Sequence, residues 1–241
     1  MRRWCAAVVL AFSGVALADD VHVAVAANFA GPLQALGAAF TQQSGHRVVA
    51  SAGSTGKFYA QVRNGAPFHV LLSADEATAR RLEDEGLAVA GSRFTYALGR
   101  IVLWSAQEAL VDAKGEVLRS RRFKSLAMAN PKLAPYGVAA QQAMARLGVW
   151  DAVQGRIVQG ENIAQTFQFV ASGNAELGFV ALSQLTDERK GSRWVVPLEL
   201  HAPIRQDAVL LRRTPAARTF LDFLRSPAAR QRIAASGYEL P

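Results

Sequence analysis

Four short segments of this 241-residue chain put small and polar residues where an apolar, strand-like run gives way to a helical pattern. They are Ala27-Asn28-Phe29, Gly53-Ser54-Thr55-Gly56, Pro135-Tyr136-Gly137 and Glu161-Asn162-Ile163. The first turn of a helix leaves about four backbone N–H groups without partners and carries about half a positive charge, so a helix start suits an anion. Four such starts converging on one cleft would make an oxyanion pocket with no charged side chain. Asn and Ser are also favoured N-caps wherever a helix begins, so each turn taken singly reads as capping. Taken together on an alternating α/β chain they point further, because ligands in such folds bind beyond the carboxyl ends of parallel strands.

Other chemistry fails on the residues present. Gly53-Ser54-Thr55-Gly56-Lys57-Phe58 looks like part of a phosphate-binding P-loop, but the required first glycine falls at Ser51 and Phe58 cannot ligate magnesium. His22, His46, His69 and His201 lack the i, i+4 pairing and the carboxylate pattern of a zinc site, and read as surface or strand-edge residues. There is no Gly-x-Ser-x-Gly elbow, and Ser54 has no base at the sequence level. Asp75 and Glu76 read as the cap and first turn of a helix, and Glu161 has a similar helix-start explanation. No catalytic constellation stands out.

The elements that must position these turns alternate along the chain. Strand-like runs cover 21–27, 47–52, 69–74, 100–105, 125–129, 156–159, 177–182, 193–197 and 207–212; helical patterns cover 30–44, 55–64, 76–85, 138–147, 163–172, 215–225 and 227–235. Such alternation predicts an α/β fold with mostly parallel sheets. No Pro/Gly/Ser-rich linker interrupts it, so two lobes would be joined by extended segments, and Leu98–Val102 and Pro203–Asp207 are the candidates.

Residues 1–18 read as an export signal: Arg2 and Arg3, an apolar run from Trp4 to Leu17, and a small-residue cleavage site ending at Ala18. The run is shorter than the ~20 residues of a membrane span. Cleavage after Ala18 leaves 223 residues and removes Cys5, the single cysteine, and with it any disulfide, thiolate metal site or cysteine nucleophile. The formal charge is +8, of which Arg2 and Arg3 contribute two. A basic surface can steer small anions. Export argues against nucleic acid as a partner, and the densest basic group, Arg119, Arg121, Arg122 and Lys124, reads as a solvated surface.

Several runs, in order and spacing, resemble the periplasmic molybdate-binding proteins that feed ABC importers. They are Ala26-Ala27-Asn28-Phe29, Ser51-Ala52-Gly53-Ser54-Thr55-Gly56, Asn64-Gly65-Ala66-Pro67 with Leu72-Ser73-Ala74-Asp75, Pro135-Tyr136-Gly137, Leu147-Gly148-Val149-Trp150 and Leu177-Gly178-Phe179-Val180. The resemblance spans nearly all of 21–240 and implies a two-lobed periplasmic binding protein fold of type II, each lobe a mostly parallel sheet flanked by helices. It implies lobe 1 at 19–98 plus 205–241 and lobe 2 at 99–204. Molybdate, with tungstate as an alternative, would be held through its oxygens, with no cofactor and no directly coordinated metal. The implied ligand residues are Asn28, donating through its side chain, with Ala27 at the first helix start, Ser54 or Thr55 at the second, and the backbone N–H groups of Tyr136 and Ile163 at the third and fourth. Some members supply a tyrosine hydroxyl where this chain has Ala181, and Tyr136 is the residue that could replace it. The implied setting is a periplasmic monomer that delivers its anion to a membrane permease and catalyses nothing.

Rival readings are a binding protein for sulfate or phosphate, an exported enzyme on the same scaffold, and a sensor domain. Molybdate and tungstate have longer bonds to oxygen than sulfate, so donor spacing separates the first. A turnover assay on phosphate or sulfate esters separates the second.

Overall fold

The fold is that of a computed structural model, which describes residues 18–186 and 190–241. The export signal, with Arg2, Arg3 and Cys5, falls on residues 1–17, outside the described residues.

The first half builds β1 (Asp20–Ala26), α1 (Ala30–Ser44), β2 (Arg47–Gly53), α2 (Thr55–Arg63), β3 (Val70–Leu72), α3 (Glu76–Asp84) and β4 (Phe94–Gly99). The second builds β5 (Ile101–Ser105), α4 (Val117–Ser120), β6 (Leu126–Ala129), α5 (Pro135–Arg146), α6 (Trp150–Val153), β7 (Ile157–Gly160), α7 (Ile163–Ala171), β8 (Leu177–Ala181) and β9 (Ser192–Val195). The chain then returns through β10 (Ile204–Leu210) and closes with α8 (Pro215–Arg225) and α9 (Pro227–Ala235).

Two five-stranded sheets result, ordered β2-β1-β3-β10-β4 and β7-β6-β8-β5-β9. The first three strands of each are parallel; β10 runs against β3 and β4, and β5 runs against β8 and β9. Each sheet therefore has one reversed strand, and it is the strand that begins after the chain has crossed from the other sheet. The outward crossing is the single residue Arg100 between β4 and β5, and the return lies between Val195 and Ile204.

Strands β5, β6 and β8 are buried at every position, as expected where helices cover both faces of a sheet. Helix α1 turns Leu33, Leu36 and Phe40 inward and stops at Gly45, whose left-handed φ of +76° lets its N–H reach the Thr41 carbonyl. Phe29, Phe40, Tyr96 and Phe220 centre one core; Leu103, Met128, Phe179 and Trp194 centre the other. Ala26, Ala27 and Ala74, at the ends of β1 and just beyond β3, pack into the second core, so the lobes touch at the carboxyl ends of their strands.

Three boundaries differ from the sequence expectation. β4 is a full strand, whereas only its end was expected, as part of a crossing, because one apolar run carries two strands of different sheets with Arg100 alone between them. β10 begins at Ile204 rather than 207, since Gln206 and Asp207 are buried within it at a bulge instead of preceding it. α5 begins at Pro135 rather than 138, because proline has the φ of a first helical residue and no N–H to leave unpaired there. His201 is buried, not at the surface: its Nδ1 lies 2.7 Å from the Ala202 carbonyl oxygen, and burial holds its pKa below the ordinary histidine value.

Candidate functional site

The first two strands of each three-stranded parallel block feed the four turns. β1 leads through a 3-10 turn at Ala27–Phe29 into α1, β2 through Ser54 into α2, β6 through Asn130–Ala134 into α5, and β7 through Glu161 and Asn162 into α7. All four converge. Ala27, Asn28, Ser54, Thr55, Tyr136 and Ile163 line one small, partly open cavity between the sheets, so the six residues expected at the site are brought together. The centre of a water-sized sphere can sweep about 10 Å³ there, room for one small ion and too little for an organic molecule. No Lys, Arg, Asp or Glu is among its lining residues.

The donors at this cavity follow from what each helix start does with its first N–H groups. At the second start Ser54 is the N-cap residue, extended at φ −84° and ψ 144°, yet its side chain does not cap. Its Oγ is buried and has no hydrogen-bond partner. An orphaned buried hydroxyl is rare, since leaving it unpaired costs about 1–3 kcal/mol. The Thr55 hydroxyl, by contrast, already accepts the Ala74 N–H at 3.1 Å. The Gly56 N–H is spent across the cleft on the Leu133 carbonyl at 2.9 Å.

At the third start Pro135 has no N–H, and Gly137 and Val138 both donate to the Ala134 carbonyl. The Tyr136 N–H is the one left over. At the fourth, Asn162 Oδ1 accepts from Ala164 and Gln165, each at 3.0 Å, which leaves the Ile163 N–H free of the cap. At the first start neither Asn28 nor Phe29 has an acceptor within its own helix. Among the described residues, each helix start therefore keeps at least one backbone N–H without a protein acceptor, and those of Asn28, Thr55, Tyr136 and Ile163 belong to cavity-lining residues.

The Asn28 side chain is occupied elsewhere. Its Nδ2 donates to Gln206 Oε1 at 2.8 Å and to the Tyr238 hydroxyl at 2.9 Å. The Tyr136 hydroxyl accepts from Gln206 Nε2 at 3.1 Å. Burial pushes the Tyr136 and Tyr96 phenols well above their usual pKa and Tyr238 up to about 12, so all three keep their protons at neutral pH. Ala181 is fully buried and offers no hydroxyl; its N–H donates to Gln184 Oε1 at 2.9 Å. Glu161 does not line the cavity, and its carboxylate pairs with Lys57 at 2.5 Å across the cleft. Asp75 caps α3 by accepting the Thr78 N–H at 2.6 Å, as its sequence context implied.

Gln206, Tyr96, Tyr238 and Ser183 form a buried polar layer behind the site that the sequence reading did not reach. The available signal was the polar run Arg205-Gln206-Asp207 at the head of a strand that ends apolar, since a buried polar residue must find a partner.

Residues 21–239 match the family described as bacterial extracellular solute-binding protein. The chain is 53% identical over 231 residues to the molybdate-binding protein ModA of Azotobacter vinelandii, covering 93% of this chain and 92% of the relative. It is 47% identical to ModA of Rhodobacter capsulatus, covering 96% and 93%. The solved structure of the Azotobacter vinelandii periplasmic molybdate-binding protein superposes with a TM-score of 0.89 at 43% identity, over 92% of this chain and 99% of that one. With these relatives and this two-lobed type II architecture, the chain belongs to the bacterial extracellular solute-binding proteins, in their ModA group.

Proposed function

We propose that this protein captures molybdate, with tungstate as an alternative ligand, in the periplasm and delivers it to an ABC permease. The observation that carries the reading is the buried, unpaired Ser54 hydroxyl in a small cavity ringed by four helix starts. Such a set offers donors to a small anion from both lobes. A fully ionised tetrahedral oxyanion accepts at every oxygen, and hydrogen bonds to an ionised group are roughly twice as strong as neutral ones, so neutral donors suffice. Helix dipoles add to this, while the absence of lysine or arginine from the lining leaves the ion free to go when the lobes part.

The ligand set we assign is the backbone N–H of Asn28, Tyr136 and Ile163, the Ser54 hydroxyl and the Thr55 N–H, with Ala27 closing the wall. The lobes are residues 19–98 with 205–241, and 99–204, meeting at the rung where Ile204 pairs with Gly99. Hinge closure about this rung is the expected motion. The 53% and 47% identical ModA relatives favour molybdate over sulfate or phosphate and a carrier over an enzyme. They also favour periplasmic residence; the mature start at Asp19 and a monomeric carrier are the reading of the sequence.

Calorimetric titration of residues 19–241 with molybdate, tungstate, sulfate and phosphate tests the reading. Tight binding of molybdate and tungstate with weak sulfate and phosphate is expected; a preference for sulfate or phosphate overturns it.

A further inference from the structure

Behind the cavity wall, Gln206 of β10 is fully buried and joins groups from both lobes. Its Oε1 accepts from Asn28 Nδ2 at 2.8 Å and from the Tyr96 hydroxyl at 3.1 Å, and its Nε2 donates to the Tyr136 hydroxyl oxygen at 3.1 Å. The Gln206 amide oxygen thus faces Asn28 and Tyr96, and its nitrogen faces Tyr136. Asn28 spends its second Nδ2 hydrogen on Tyr238 at 2.9 Å, so neither side-chain hydrogen of Asn28 is left for a ligand. Tyr136 is in the opposite position. Its oxygen receives the Gln206 N–H, and the Tyr238 hydroxyl is the protein group close enough to compete with a ligand for its own proton.

We propose that Gln206 is a positioning residue for the oxyanion site, holding Asn28 in the first lobe and occupying the Tyr136 oxygen from behind, so that Tyr136 meets the anion as a donor. This rests on the oxyanion reading of the cavity. An amide does this where a carboxylate cannot. A carboxylate at position 206 would only accept, and would draw the Tyr136 proton away from the cavity while adding a negative charge behind the ligand. A protonated carboxyl regains one donor.

The test is titration of molybdate into the parent, Gln206→Glu, Tyr136→Phe and the double variant, at pH 8 and at about pH 5.5, where a buried glutamate with a raised pKa regains its proton. Gln206→Glu is expected to bind about tenfold or more weakly at pH 8, the scale of one hydrogen bond to a charged group, and to recover on acidification. Tyr136→Phe should be weak at both pH values, and in its background the pH 8 penalty of Gln206→Glu should shrink at least about threefold, because the donor it redirects is gone. Parent-like binding by Gln206→Glu at pH 8 overturns the proposal. So does a pH-dependent loss of equal size with and without the Tyr136 hydroxyl, which would be charge repulsion alone. Should Gln206→Glu fail to fold, Gln206→Met takes its place, with a loss matching Tyr136→Phe and none added in the double variant. Additivity there overturns the proposal. A parent that binds none of the four anions overturns the oxyanion reading and this inference with it, whereas a binding parent with an additive cycle overturns the inference alone.

Discussion

Asn28 and Asn162 each stand where a strand of a parallel pair hands over to a helix, one in each lobe, and they do opposite things. Asn162 turns its Oδ1 back onto its own helix and takes the N–H groups of Ala164 and Gln165. Asn28 turns away from its helix and uses its amide nitrogen to reach Gln206, 178 residues further along the chain. Ser54, the other polar residue at a helix start in the first lobe, does neither. The first lobe thus presents a free side-chain hydroxyl, while the second presents the N–H that its cap does not use, together with Tyr136. A polar residue at a helix start is therefore informative about binding only once its own lone pairs and hydrogens have been followed to their partners.

The comparison breaks most completely at Gly99, where the lobes meet. A Cβ at this position would lie 2.3 Å from the Tyr136 hydroxyl oxygen and 2.8 Å from Gln206 Nε2. Gly99→Ala must displace the tyrosine or hold the lobes apart, since neither the rung paired with Ile204 nor the buried amide has room to give. Overpacking of this kind costs about 1–3 kcal/mol of stability. The expected loss of molybdate affinity is about a hundredfold or more, because closure and the second lobe's side-chain donor fail together. Combining Gly99→Ala with Tyr136→Phe should restore part of the affinity, since removing the hydroxyl removes the nearest clash; no recovery would place the damage in the backbone instead.

Ser54→Ala sharpens the contrast between the hydroxyl that binds and the cap that does not. Removing one hydrogen bond to a charged ligand should cost about 1.5–3 kcal/mol of binding, or roughly 10- to 100-fold in affinity. Unlike the loss of a cap, it should leave the unliganded protein no less stable, because the hydroxyl is buried without a partner when the site is empty. Titration and thermal unfolding on one preparation check both halves. A variant that binds as the parent does, or that unfolds more easily without ligand, would mean that Ser54 serves the helix.

Much of this was legible in the sequence, and the limits have physical causes. The alternation of runs identified the α/β class, and seven helices were read to within three residues at their ends because apolar stripes and proline or glycine stops are local signals. The four turns were legible for the same reason. β4 was hidden because Phe94–Gly99 runs into Ile101–Ser105 with only Arg100 between, and nothing local says that the two halves belong to different sheets. Gln206 was hidden because its partners, Asn28, Tyr96 and Tyr136, lie 178, 110 and 70 residues away. The contrast between Ser54 and Thr55 also needed the fold, since only the structure shows the Ser54 hydroxyl without a partner while the Thr55 oxygen accepts the Ala74 N–H.

Asn162→Ala tests the other side of the contrast. Losing a cap that satisfies two N–H groups should cost about 1 kcal/mol of folding stability. Binding should change less than it does in Ser54→Ala, because the Ile163 N–H remains in place. Denaturant unfolding should show a lower midpoint at an unchanged slope. An affinity loss as large as that of Ser54→Ala would mean that the asparagine contacts the anion and that the two lobes are alike after all.

The smallest effect is expected at the rim, where Lys57 of the first lobe meets Glu161 of the second at 2.5 Å. Both side chains are about half exposed, at 48% and 41%, so water and salt screen the pair and its worth is at most about 1 kcal/mol. Because it forms across the cleft, that energy goes into closure rather than into either lobe. A double-mutant cycle with Lys57→Ala and Glu161→Gln separates the pair from the effect of each charge on the dianion. Lys57→Ala alone lowers the local positive potential and should weaken binding, Glu161→Gln alone should strengthen it, and the remaining coupling term is the latch. That coupling should be at most about fivefold in affinity at low salt and should fade as the Debye length drops to ~3 Å near 1 M. A coupling that survives high salt would mark the pair as shielded from solvent in the closed state. A Glu161→Gln variant that loses hydrogen phosphate binding while keeping molybdate would instead give the carboxylate a role as acceptor for a protonated ligand.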